Sequence, residues 1–377
     1  MCAVRYRHYR SRVNQFDAKA DIVDLLCALV DVPSVSGDEA PLADAIEAIL
    51  RECPWLTVTR LSNSLVAQTH LGREKRVIIA GHIDTVPVAG NAGALRVEAG
   101  AALPTGELVD QDVVFGLGSC DMKGGVAVAL QAAVTISEPV YDVTYVFYEC
   151  EEIDSARNGL TLLAAAHPEL LAADVAVLLE PSNAAIEAGC QGTLVATVAS
   201  SGVRAHSARS WRGSNAIHAL LPALQTLADY TPRVVDVDGL EYREGLNAVK
   251  VSGGIANNVI PDEVVMNVNY RYAPTRTAAE AEAHVREVFS GYEVKILDNT
   301  AGAMPGLERL GDLVELCGGH VAPKFGWTDV ARFYALGIPA VNMGPGDPML
   351  AHARNEHVPE SQLRTCLANV TGWLRGA

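Results

Sequence analysis

His82 and Asp84 stand two residues apart in Gly81-His82-Ile83-Asp84-Thr85-Val86-Pro87, directly after the apolar run Arg76-Val77-Ile78-Ile79-Ala80. Side chains on a strand alternate with period two, so both groups point to one face. A metal-binding imidazole and the carboxylate that steadies it can be delivered together in this way. For this pair alone the competing reading is a buried histidine satisfied by its neighbour. Acids further along the chain tip the balance. Asp121 lies in the glycine-flanked turn Gly116-Leu117-Gly118-Ser119-Cys120-Asp121-Met122-Lys123-Gly124-Gly125 before an apolar helical stretch, residues 126–136. Glu149-Cys150-Glu151-Glu152 closes the β-rich run 143–148, and Glu180 ends the run 174–179 before Pro181. His352 sits in Leu350-Ala351-His352-Ala353-Arg354-Asn355-Glu356.

Ligands in open α/β sheets collect outside the carboxyl ends of the strands, so strands ending in His or carboxylate point to one site. Two imidazoles and three carboxylates suit Zn²⁺ or a similar borderline ion. The expected ligands of a two-metal centre are His82, Asp121, Glu152, Glu180 and His352, with Asp121 offering one oxygen to each ion. Glu151 neighbours a ligand but should point differently, which makes it the candidate general base on a bridging water. Asp84 is expected to orient His82. Glu149 reads as part of a solvated acidic loop.

The motifs Gly-His-Ile-Asp-Thr-Val-Pro, Asp-Met-Lys-Gly-Gly, the paired Glu151-Glu152, Leu-Glu-Pro and the late His-x-x-Asn-Glu follow one another in an order that resembles the dizinc aminoacylase/carboxypeptidase family. The resemblance runs over essentially the whole chain after about residue 17. It implies two Zn²⁺ per subunit, with Co²⁺ or Mn²⁺ as substitutes, and hydrolysis of a linear N-acyl amino acid. It also implies a homodimer. His206, in Gly202-Val203-Arg204-Ala205-His206-Ser207-Ala208, matches the family's lid histidine, which reaches the partner subunit's active site and donates to the developing oxyanion. Asn258 and Arg271 match positions that hold a substrate carboxylate, for which the planar arginine fork is suited. A structural ion pair is the alternative for Arg271. Thr328 and Arg332, in Trp327-Thr328-Asp329-Val330-Ala331-Arg332, resemble a segment near the substrate. The region 189–218 is similar to the actinobacterial desuccinylase branch. N-succinyl-LL-diaminopimelate is therefore the expected substrate, with Arg209, Arg212, Arg271 and Arg332 matching its three carboxylates. N-acetylornithine, another N-acyl amino acid or a peptide is the alternative. Cys190-Gln191 stand where many bacterial desuccinylases place arginines, so substrate contacts cannot be carried over there.

The 377 residues suit two domains better than one core. Hydrophobic residues make up 49% and charged ones 20%, the profile of a globular enzyme. A formal charge of −16 argues against nucleic acid and anionic membrane as partners. The eight cysteines show no disulfide or Cys-x-x-Cys spacing, which points to a reducing cytoplasm. No apolar run is long enough to span a bilayer. The expected fold is α/β, a mixed-sheet zinc-exopeptidase-like catalytic domain over 18–188 and 294–377. An inserted ferredoxin-like α+β lid and dimerisation domain covers 189–293, and 1–17 is expected to be an unstructured leader. Helices are expected over 21–30, 41–50, 215–229 and 278–289, with strands near 247–255, 263–272 and 339–342.

Overall fold

The computed structural model describes residues 7–8 and 17–377. The chain divides into two compact units, Met1–Ala188 with Gly306–Ala322 and Arg332–Ala377, and Gly189–Pro305 with Pro323–Ala331. Of the expected leader, only Arg7–His8 and Asp17 fall among the described residues. Arg7–His8 is not free chain; it pairs antiparallel with Leu95 and Arg96.

The first unit is built on an eight-stranded mixed sheet. Its order is Val321–Pro323, Ile186–Ala188, Ala340–Gly344, Val175–Pro181, Arg76–His82, Asp142–Tyr148, Ser64–Gln68 and Thr57–Leu61. The four strands from Ala340–Gly344 to Asp142–Tyr148 run parallel, so their carboxyl ends lie along one edge. Val175–Pro181 and Asp142–Tyr148 are buried at every residue, which is why they read as continuous apolar runs rather than alternating ones. Helix Lys123–Thr135 packs on Arg76–His82 and Val175–Pro181. Gly125 permits that approach, because a Cβ there would lie 2.1 Å from the Leu179 carbonyl oxygen. Helices Ile22–Val30 and Glu360–Arg375 pack in turn on Lys123–Thr135. A small second sheet holds Leu95–Val97, Val113–Phe115 and His357–Pro359. The strand before Asp121 therefore belongs to this small sheet, and Asp121 sits in the turn just ahead of helix Lys123–Thr135.

The second unit has an antiparallel four-stranded sheet in the order Gly245–Gly253, Glu263–Tyr272, Gly192–Ser201, Glu293–Thr300. Residues of Gly192–Ser201 and Glu263–Tyr272 alternate buried and half-exposed. Leu194, Ala196, Val198, Met266, Val268 and Tyr270 thereby reach one core with Ala281, Val285 and Phe289 of helix Ala278–Val288. Chain order and sheet order together give the ferredoxin-like arrangement. Two expectations change here. The unit runs on to Pro305 rather than ending at 293, because Glu293–Thr300 is its fourth strand and pairs with Gly192–Ser201. The expected helix 215–229 is two helices, Ala216–Ala219 and Leu221–Ala228. Pro222 has no N–H to give to a continuing helix and instead occupies the first turn of the second.

Candidate metal centre

Three of the four parallel strands of the first unit bring something to the same edge. Arg76–His82 ends on His82, Asp142–Tyr148 leads into Glu151 and Glu152, and Val175–Pro181 carries Glu180. The loops holding Asp121 and His352 are tied together beyond them, since Val113–Phe115 pairs with His357–Pro359. Buried Glu356 accepts the backbone N–H groups of Cys120 and Asp121, each at 3.0 Å.

Asp121 lies at the centre. Its Oδ1 is 3.1 Å from His82 Nε2 and its Oδ2 is 3.3 Å from His352 Nε2. His82 Nε2 also lies 3.8 Å from Glu180 Oε1, and His352 Nε2 lies 2.9 Å from Glu152 Oε1. Ligand-type atoms of His82, Asp121 and Glu180 gather within 4.8 Å, as do those of Asp121, Glu152 and His352. A third group, His82, Glu151 and Glu152, meets the same limit. All five expected ligands and the expected base are thus close neighbours.

The electrostatics follow from that crowding. His82 Nδ1 lies 3.0 Å from the Asp84 carbonyl oxygen, so it donates there and turns the Nε2 lone pair towards Asp121 and Glu180. A lone pair facing carboxylate oxygens repels them unless a cation, proton or metal, stands between. Burial opposes a proton on His82, yet Asp121 and Asp84 hold its pKa well above the usual imidazole range. Hydrogen bonds to Asp121 and Glu152 raise His352 to about 10. Burial would raise Asp121, but the two histidines bring it below the ordinary carboxylate range. The donor set fits divalent ions that accept both nitrogen and oxygen ligands.

Asp84 does more than steady His82. Its fully buried carboxylate accepts from the N–H groups of Glu151 at 3.0 Å and Glu152 at 3.1 Å, and from the Ser36 hydroxyl at 2.7 Å. The His82 ring stands 3.5 Å from that carboxylate, farther than from the Asp84 main chain. Glu149 corrects the sequence expectation. It is 6% exposed, and accepts from Ser62 Oγ and Asn63 N–H of the turn between Thr57–Leu61 and Ser64–Gln68. Sequence reasoning passed over Ser36, Glu39 and Glu356. The first two lie in a polar stretch, Ser36-Gly37-Asp38-Glu39, that reads as an ordinary helix start.

The remaining expected residues are spread more widely. Arg332 belongs to the first unit and its Nη2 donates to Ser155 Oγ at 3.0 Å, on the loop that follows Glu152. His206, Arg209, Asn258, Arg271 and Thr328 belong to the second unit, where they form two groups. Ala205–His206 pairs with Val259–Ile260, and Ser207 N–H donates to the Asn258 carbonyl at 2.9 Å. Exposed His206 and Arg209 flank the same short segment. Arg271 sits opposite Thr193, while the Thr328 carbonyl faces the Cys190 thiol at 3.8 Å. Arg271 and Asn258, expected to share one carboxylate, therefore lie towards opposite ends of a ten-residue strand, roughly 30 Å long.

The model for Peptidase family M20/M25/M40 matches residues 78–375. A Mycobacterium tuberculosis protein, provisionally named a succinyl-diaminopimelate desuccinylase, is 50% identical over 365 residues, 96% of this chain and 99% of its own. The succinyl-diaminopimelate desuccinylase of Corynebacterium glutamicum is 45% identical over 371 residues, 95% and 97% of the two chains. Among solved structures, a tripeptidase from Staphylococcus aureus superposes with a TM-score of 0.74 at 20% identity, covering 95% of this chain and 98% of that one. A Sulfolobus solfataricus M20 family metallo-carboxypeptidase gives 0.72 at 16% identity, covering 94% and 98%. These two share the fold. The chain belongs to Peptidase family M20/M25/M40.

Proposed function

We propose that this protein hydrolyses the amide of N-succinyl-LL-diaminopimelate to succinate and LL-diaminopimelate, using two zinc ions held by the first unit. The observation behind the two-ion reading is Asp121, whose two oxygens each face a different histidine. His82, Asp121 and Glu180 would hold one ion, and Asp121, Glu152 and His352 the other. Such a pair, when bound, acidifies a water and polarises an amide carbonyl. Glu151 takes the water's proton and returns it to the leaving amine. Asp84 keeps Glu151 and Glu152 in register through their N–H groups. The substrate follows from the two relatives named above, which match this chain over nearly its full length.

His206 supports the oxyanion in this scheme. Its Nδ1 accepts the Ala208 N–H at 3.1 Å, so the neutral ring carries its proton on Nε2, facing outward as a donor. Arg209 and Asn258 share its end of the second unit, and Arg271 and Thr328 lie towards the other. Their separation supports a homodimer in which one copy's His206 end serves the other copy's site. Gly245–Gly253 is an edge strand with Val249 and Val251 exposed, a surface suited to pairing with a second copy. Arg332, beside Ser155, and Arg271 are the cations assigned to substrate carboxylates. No helix among the described residues is long and apolar enough to cross a membrane. The seven described cysteines are all unpaired, which supports a place in the reducing cytoplasm.

The test is turnover by zinc-loaded protein of N-succinyl-LL-diaminopimelate beside N-acetylornithine. Succinate release that drops by about 10²–10⁴-fold in Glu151→Gln, with metal content unchanged, is the expected result. Turnover of the acetyl compound alone would overturn the substrate. Full activity in Glu151→Gln would overturn the base.

A further inference from the structure

Three consecutive backbone N–H groups in the loop bearing the proposed base are all received by buried carboxylates. Glu151 and Glu152 give theirs to Asp84, as described, and Cys150 gives its own to Glu39 Oε1 at 3.2 Å. Glu39 is 0% exposed and faces none of the proposed ions. It occupies the N-cap position of helix Ala40–Arg51, where a polar side chain ordinarily caps the helix's own N–H groups. Glu39 makes no such bond. Its Oε1 instead collects the Gly37 N–H at 2.8 Å, the Cys150 N–H and the Cys150 thiol at 3.3 Å, while Oε2 has no hydrogen-bond partner. A buried carboxylate with an orphaned oxygen is costly, so it calls for a compensating role.

Cys150 shows what that role is. Its φ is +58°, a left-handed conformation that a non-glycine residue keeps only where the surroundings impose it. The turn at Cys150 carries the chain off the end of Asp142–Tyr148 into Glu151 and Glu152, whose ligand-type atoms both gather near His82. Glu39 grips both the N–H and the side chain of the residue that makes this turn. Glu39, Glu149 and Cys150 do bring ligand-type atoms within 4.8 Å of one another. Both Glu149 oxygens already accept from Ser62 and Asn63, however, and the Cys150 thiol is directed at Glu39 Oε1. The cluster is a hydrogen-bonded clasp rather than a third ion site.

We infer that Glu39 is a positioning residue that holds the left-handed turn at Cys150 and thereby sets the places of Glu151 and Glu152. The inference rests on the two-ion reading only for its effect on metal affinity. That effect is selective, since Glu152 would hold one ion while His82 and Glu180 hold the other.

The experiment compares the full-length protein with Glu39→Ala and Glu39→Gln by zinc titration calorimetry and by amide hydrogen exchange of the metal-free proteins. Glu39→Ala should weaken one ion by about 10- to 100-fold, leave the other near wild type, and speed exchange at the Cys150, Glu151 and Glu152 amides. Glu39→Gln keeps an acceptor oxygen and should restore slow exchange and most of the affinity. Should Glu39→Ala fail to fold, Glu39→Asp withdraws the oxygen by one methylene and should show the same selective loss. Wild-type affinity for both ions with unchanged exchange would overturn the inference. Uptake of a single ion by the wild type would instead refute the two-ion reading. The exchange of the three amides would then decide the role of Glu39 by itself.

Discussion

Asp121 concentrates the consequences of a single residue. Because one oxygen faces each histidine, Asp121→Ala should abolish tight binding of both ions, whereas Glu180→Ala should spare the ion assigned to Glu152 and His352. Metal analysis after dialysis separates the two outcomes. The histidines add a pH dependence of known sign. With His352 raised to about 10 by Asp121 and Glu152, its metal-free imidazole carries a proton at pH 7, and an ion that needs the lone pair must displace it. Zinc loading at pH 7 should therefore release protons, and affinity should rise with pH. Calorimetry in two buffers of different ionisation enthalpy reads this directly, and a buffer-independent heat would contradict it. At this scale the chemical residue types were legible in order along the chain. Glu149 was not, because an acid in an acidic run looks solvated until the fold shows Ser62 and Asn63 closing over it.

Elements bring those residues together by close packing of helix on sheet. Gly125 is one such close approach, with its would-be Cβ 2.1 Å from the Leu179 carbonyl, next to the Glu180 that the same strand carries. Gly125→Ala should cost about 1–3 kcal/mol of stability and lower metal affinity at the Glu180 side, read by thermal unfolding with and without zinc. Glu356→Ala acts on a different element. It frees the N–H groups of Cys120 and Asp121, and since Asp121 serves both ions, both affinities should fall by about 10-fold or more. Buried strands announced themselves as largely apolar runs. Short strands such as Leu95–Val97 and His357–Pro359 did not, because three residues are too few to display a period.

For the whole molecule, the roughly 30 Å strand between the His206 group and the Arg271 group argues that one copy alone does not complete the proposed site. Val249→Glu with Val251→Glu on the exposed edge strand should yield monomers by sedimentation and reduce turnover, while zinc content stays at the wild-type value. His206→Ala should lower kcat with dimer and metal intact. A monomeric wild type with full activity would refute the arrangement.

The residues proposed as ligands and base, and the ferredoxin-like insert, could be picked out from residue types and periodicity, because metal chemistry restricts donors to few side chains and buried elements must repeat their apolar faces. The fourth strand of the insert was readable too, in the alternation at Glu293-Val294-Lys295-Ile296, yet its sheet was not. A half-exposed strand fits the edge of either layer, and only pairing with Gly192–Ser201 decides between them. The same holds for Glu39, Asp84 and Glu356. Their partners are backbone N–H groups, which every residue possesses, so a sequence cannot mark which amide a carboxylate will receive. Tertiary structure alone brings Glu39 to Cys150 across a sequence separation of 111.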